Sequence, residues 1–205
     1  MAFTPYATVN EFKAWVKLND TVDDGVLSFI VDSVTEWIDQ YTDRHFWRDG
    51  VTGSEVARTF EACGRYELDI DDLVSVTAFK TDEAGDGTFE TTWSATDYQL
   101  LPVNRPTGRP YTKVRSIAGR GFPVRYSTIG RSDRVQITGI WGWDTVPRPV
   151  RQACLEQTNR ELKRNVSPEG IAGFGEFGAI RLSGRLDPDV ERNLYPYRRI
   201  PLLVA

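Results

Sequence analysis

At 205 residues, with 40% hydrophobic residues and six tryptophans, the chain has the composition of a folded protein with one sizeable core and not of a disordered one. No apolar run reaches bilayer-spanning length, and the opening MAFTPYATVNEF has neither the basic nor the apolar region of a secretory signal, so no membrane role is expected. The net charge of −4 conceals a polarity: residues 1–100 hold 7 Lys and Arg against 20 Asp and Glu (net −13), and residues 101–205 hold 18 against 9 (net +9).

Thr8-Val9-Asn10-Glu11 has the form of a capping box, and Phe12, Trp15 and Val16 give the helix behind it a short apolar face. Thr21 is the expected cap of a second helix, with Asp23 and Asp24 in its first turn, where the helix dipole favours negative charge. Leu27, Ile30, Val31, Val34, Trp37, Ile38 and Tyr41 form its core stripe, spanning roughly 120°. Ser28, Asp32, Thr35, Glu36 and Asp39 lie opposite. Phe29 lies off the stripe, either a scattered surface aromatic or a subunit contact.

Residues 43–54 read as a loop. Strand-like runs then follow at 56–61, 66–70, 74–80, 89–93, 98–101, 111–117 and 135–143, separated by turn residues as in an antiparallel sheet. Asp86-Gly87 is a hairpin signal. From Asn104 to Gly130, Pro, Gly and Arg are dense, which predicts a projecting loop around the 111–117 run. In the last strand Val135, Ile137, Trp141 and Trp143 share a face, with Gly139 between them. Pro147 and Pro149 fit only the first turn of a helix, and Val150, Cys154, Thr158 and Leu162 continue it as a modest stripe. Residues 167–170 break the chain. Phe174 and Phe177 supply contact area in a glycine-rich segment, and Asp187-Pro188 caps a last short helix, followed by Tyr195, Tyr197 and an apolar tail containing Ile200, Leu202 and Leu203.

Catalytic chemistry finds little to stand on. His45 is the only histidine, and no nucleophile motif accompanies it; a side chain at a helix C-terminus explains it, so no enzyme activity and no catalytic residue are expected. Asp82 and Asp86 resemble a calcium loop, but counting from Asp82 puts Ala84 at position three and Trp93 at position twelve, where carboxylates are required. Asp69, Asp71 and Asp72 read as turn and capping chemistry before a strand. The glycines at 173, 175 and 178 match a GxGxxG spacing without the preceding strand and following long helix of a dinucleotide site. No metal and no cofactor are expected. Cys63 and Cys154 lack metal-ligand spacing; a disulfide stays open from sequence, and buried thiols are the commoner state. Arg148, Arg151, Arg160, Lys163 and Arg164 decorate the late helix. They fit a DNA-channel or charge-complementary face, and the last three also fit cations that offset the dipole at a helix end.

One join carries a resemblance. Gly142-Trp143, Val146-Pro147, Ala153 and Arg164, with Leu73-Val74-Ser75-Val76-Thr77 and Asp97-Tyr98-Gln99-Leu100 upstream, resemble the head–tail connector (adaptor) proteins of long-tailed bacteriophages over residues 8–165. The resemblance implies an α+β fold: a small helical bundle with an inserted antiparallel β-sheet subdomain. Helices at 8–48 and 147–165 would enclose a β insertion at 55–143 in an adaptor domain of 1–165, with a C-terminal docking extension at 166–205. It further implies a structural virion protein, assembled in the host bacterial cytoplasm as a ring, usually a dodecamer in this family. Portal protein and a tail-side connector or stopper protein would be its partners, with genomic DNA passing through the ring without sequence-specific contact. Phe29, Phe174, Phe177, Tyr195, Tyr197, Ile200, Leu202 and Leu203 are then candidate subunit or portal contacts. The competing function is a non-sequence-specific nucleic-acid-binding protein using the basic C-terminal half. The charge polarity fits a surface meeting its complement on a neighbouring copy, a basic face for nucleic acid, or charges that intermix on folding.

Overall fold

A computed structural model describes residues 3–19, 21, 23–117, 119–124, 133–166, 171–175, 178–181 and 186–199. Its four helices are α1 (Val9–Val16), α2 (Asp24–Thr42), α3 (Arg148–Val166) and α4 (Pro188–Leu194). Its strands are β1 (Arg48–Asp49), β2 (Val56–Phe60), β3 (Glu67–Thr81), β4 (Thr91–Thr92), β5 (Tyr98–Leu101), β6 (Tyr111–Ser116), β7 (Val135–Gly142), β8 (Ile171–Gly175) and β9 (Gly178–Arg181). The fold is α+β, with β1 to β7 forming one antiparallel sheet. The chain divides into two compact units: a sheet unit at 46–145 and a helical unit built from 2–45 and 146–205.

The sheet unit runs in the order β1-β7-β3-β6-β5, with β2 also on β7 and β4 also on β3. Two runs expected as separate strands are the single fifteen-residue β3: Glu67–Leu73 pairs with β6 and Leu73–Thr81 pairs with β7. Asp69, Asp71 and Asp72 therefore sit inside a strand, not in a turn. Period-two alternation puts Asp69 and Asp71 on the polar face and Asp72 on the other. The run at 89–93 contracts to Thr91–Thr92, and Arg48–Asp49, within the stretch read as loop, pairs with Trp141 and Gly142.

Leu68, Ile70, Leu73, Phe79, Trp93, Val114, Phe122, Val135, Ile137 and Trp141 form the core. Its tryptophans are satisfied as well as buried. Trp93 Nε1 donates to Thr81 Oγ1 at 2.9 Å, Trp141 Nε1 to the Val56 carbonyl at 2.8 Å, and Trp143 Nε1 to Asp72 at 2.9 Å. The glycines of β7 are dictated by close approach. A Cβ on Gly139 would lie 2.1 Å from the Ser75 carbonyl oxygen, and one on Gly142, whose φ is +85°, 1.9 Å from that of Trp47.

The arginine-rich stretch is not a free projection in its described part. Phe122 is core, stacked on Trp93 at 5.1 Å. Arg105 lies 4.0 Å over the Tyr111 ring and Arg120 lies 5.1 Å over Trp93. Lys113 and Arg115 stand opposite Asp69 and Glu67 in the β3–β6 register and pair with them at 2.9 and 2.7 Å.

In the helical unit, α1 has its capping box: Thr8 Oγ1 accepts from Glu11 N at 3.1 Å, and Glu11 Oε2 accepts from Thr8 N at 2.8 Å. Phe12 is buried, but Trp15 is exposed, since α1 stops at Val16 and turns through Lys17 at φ +60°. The cap of α2 is Asp23, not Thr21, and makes no side-chain hydrogen bond. Leu27, Ile30, Val31, Val34 and Ile38 are buried as the stripe predicts, with Trp37 and Tyr41 half-buried at its edge. Thr35, expected opposite, is fully buried: its hydroxyl donates to the Val31 carbonyl at 2.9 Å and accepts the Tyr6 amide at 3.2 Å. Such back-bonding lets a threonine enter an apolar face without an orphaned hydroxyl. Val150, Ala153, Cys154, Gln157 and Thr158 are the buried face of α3. Asp187 caps α4 by accepting from Asp189 N at 3.0 Å, with Pro188 in its first turn. Val190 and Leu194 of α4 are fully buried, so this part of the C-terminal extension belongs to the core of the helical unit.

Candidate interaction surfaces

The expected contact residues separate into three groups. Phe29 is 72% exposed on α2, and Tyr195 is 63% exposed in the 3-10 turn Tyr195–Tyr197 that continues α4; Tyr197, in the same turn, is half-buried. Phe174 lies in β8, whose side chains are outside the described set. Phe177, Ile200, Leu202 and Leu203 lie outside the described residues.

The five basic residues of α3 do not form one free stripe. Arg151 reaches Glu11 of α1 at 3.4 Å, Arg164 reaches Glu161 at 3.3 Å, and Arg160 pairs with Asp187. Arg160 therefore steadies the capping residue of α4 as well as standing near the end of its own helix. Lys163 and Arg164 do fall in the last turn of α3, where cations offset the dipole. Arg148 and Lys163 are exposed and carry no ion pair among the described residues.

The charge polarity along the sequence disperses on folding. Residues 46–145 hold 12 Lys and Arg against 14 Asp and Glu, a net of −2; residues 2–45 and 146–205 hold 13 against 15, again −2. The two ends of the chain, one acidic and one basic, enter the same unit and largely cancel there.

His45 follows the end of α2, beyond the left-handed Asp43 at φ +52°. Its Nδ1 lies 3.0 Å from Asp39 Oδ2, and the Tyr6 hydroxyl donates to the other Asp39 oxygen. Burial pushes the Asp39 carboxyl up, and the Tyr6 and His45 bonds only moderate that. This network ties the N-terminal segment to the last turns of α2.

Three carboxylates, Asp82, Asp86 and Glu90, bring oxygens within 4.8 Å of one another between β3 and β4. Asp82 is buried and already engaged, accepting from the Gly85 amide and, at 2.8 Å, from that of Gly87, while Arg134 Nε donates to the Asp82 carbonyl at 2.9 Å. Burial raises the Asp82 carboxyl, but the Gly87 and Gly85 amides and the Arg134 charge together outweigh it and hold the group below the usual range. The cluster is the internal brace of a hairpin loop, with Gly85 and Gly87 at φ +80° and +94°. The GxGxxG spacing likewise belongs to a hairpin: Gly173 and Gly175 lie in β8, and Gly175 pairs with Gly178 of β9. Both cysteines are free. Cys63 is exposed, and burial raises the thiol of Cys154 to about 11, so that it stays protonated.

The sequence reading missed the Tyr6–Asp39–His45 network, the burial of Thr35 and the ion-paired face of β3. Alternation at Glu67, Asp69 and Asp71 was the available signal for the last. Among the described residues no helix is long and apolar enough to cross a membrane. Compared with protein-family models and with curated protein sequences, the chain matches none.

Proposed function

We propose that this chain is a head–tail connector of a long-tailed bacteriophage, a structural subunit that closes into a ring between portal and tail around the DNA path. The observation that supports this reading best is the architecture at the residues carrying the resemblance. A helical unit made from both ends of the chain encloses, in sequence, an antiparallel sheet, and the chain re-enters the helices through Gly142-Trp143 and Val146-Pro147. Three of those four residues have a structural task there. Gly142 admits the Trp47 carbonyl, Trp143 buries against Phe46 at 5.2 Å, and the Pro147 carbonyl accepts the Arg151 amide at 3.0 Å in the first turn of α3.

In this reading the protein works by surface complementarity, without catalysis, metal or cofactor. The ring is assembled in the host cytoplasm and carried into the virion, against portal on one side and a stopper or tail protein on the other. DNA passes through without sequence readout. The self-paired cations of α3 weigh against a monomer that grips nucleic acid, because a phosphate would have to displace carboxylates already in place. Negative-stain electron microscopy and sedimentation of the concentrated protein, alone and with a purified portal ring, test the proposal. Closed rings, or a portal-bound collar, are expected. A strict monomer under every condition, with no portal complex, overturns it.

A further inference from the structure

We propose that the outer face of α2 is one half of a head-to-tail contact whose other half is the outer face of α3 on a second copy. The inference rests on the connector reading and supplies the interface it needs. Half of the large apolar side chains that stand exposed among the described residues precede Ile30: Phe3, Trp15, Leu18, Val26 and Phe29. Lys13 pairs with Asp24, which sets the exposed end of α1 beside the first turn of α2. Along α2 the exposed Val26 and Phe29 are followed at steps of three and four by Ser33, the half-buried Trp37 and Gln40, a mixed seam flanking the buried stripe. An exposed apolar seam rimmed by charge marks an interaction surface.

The charges identify the occupant. α2 carries Asp24, Asp32, Glu36 and Asp39 and no basic residue. Asp24 is matched by Lys13 and Asp39 by Tyr6 and His45, which leaves Asp32 and Glu36 with no ion pair among the described residues. α3 carries five cations against two acids; after its pairs with Glu11, Asp187 and Glu161 it leaves Arg148 and Lys163, with Glu156 accepting from Gln152 at 2.8 Å. Two acids on α2 and two cations beside one acid on α3 thus carry no ion pair among the described residues. No ion pair joins α2 to α3 among the described residues. At 1.5 Å per residue Asp32 and Glu36 lie about 6 Å apart along α2 and Arg148 and Lys163 about 22 Å apart along α3, so the acid pair meets one of the two cations at a time.

A two-fold contact centred on α2 would set acid on acid, whereas one that paired α2 with α3 twice would match the charges and stop at a dimer. The ring of the connector reading needs each face used once, against a different neighbour, and such a contact closes where its rotation allows.

The test is reciprocal charge reversal read by sedimentation and electron microscopy. Asp32→Lys/Glu36→Lys alone and Arg148→Glu/Lys163→Glu alone should each weaken self-association at least tenfold, and an equimolar mixture should restore it, since reversed faces again match. Phe29→Ser should weaken association with an unchanged melting curve, and it carries the decision if either reversed variant folds poorly. Raised salt should weaken wild-type assembly. Rings that form from each reversed variant as from wild type, or a mixture of well-folded variants that fails to assemble, overturn this interface and leave the connector reading standing. Wild-type protein that never leaves the monomer, alone or with portal, overturns both.

Discussion

The sheet unit and the helical unit solve the same problem differently. The sheet unit settles its polar groups internally. Arg58 bridges Asp49 and Asp71 at 2.8 Å each while lying 4.9 Å over the Trp141 ring; Lys113 and Arg115 answer Asp69 and Glu67 across the strands; and three buried tryptophans each have an acceptor. The helical unit buries an equally well-defined stripe but leaves Phe29, Asp32 and Glu36 on one helix and Arg148 and Lys163 on another without partners among the described residues. On the interface proposed above, those remainders are what a second copy would meet.

That contrast can be broken at its tightest point first. Gly142→Ala places a Cβ against the Trp47 carbonyl at a φ that L-residues avoid, and we expect a loss of more than about 3 kcal/mol in thermal or urea unfolding. A loss under about 1 kcal/mol would mean that the β1–β7 edge yields readily. In the helical unit Thr8→Ala removes one half of the capping box and should cost about 1 kcal/mol, read in the same assay.

The smallest effect, and the one that separates the units most sharply, is in acid. Asp82 is held below its ordinary pKa, so its stabilising contribution is fully present above the ordinary aspartate value of about 3.9 and is lost as pH falls through the lower folded value. Asp39 is held above its ordinary value, so its contribution is present below about pH 3.9 and is lost as pH rises through the higher folded value. Asp82→Asn should therefore flatten the loss of stability on acidification, and Asp39→Asn should flatten a loss on raising pH from 4. Stability measured between pH 2.5 and 6 distinguishes them; the same sign for both would refute the assignment.

How far the sequence foretold this depends on what kind of signal each element carried. The α2 stripe, the Thr8 box and the Asp187-Pro188 start are local patterns, and local geometry realises them. The merging of two runs into β3 was hidden because Asp71-Asp72 looks like punctuation until Arg58 and the Trp143 indole, thirteen and seventy-one residues away, supply partners. The Arg-rich stretch looked loose for the same reason: Phe122 and Arg120 are anchored by Trp93, which lies far back in the chain. The exposure of Phe29 was legible, because it follows from its phase on α2. The pairing of Arg151 and Arg160 with Glu11 and Asp187 was not, because it needs the tertiary arrangement.

The discontinuity of the helical unit also sets a schedule. α1 and α2 leave the ribosome first, but α3, whose Val150, Ala153 and Cys154 belong to the same core, comes only after the hundred residues of the sheet unit. At about 5–20 residues per second that delay is roughly 5–20 s. Through it the apolar stripe of α2 lacks α3, while the sheet unit, contiguous in sequence, is free to fold as it emerges. On the interface proposed above, the two faces would therefore both be present only once α3 has emerged.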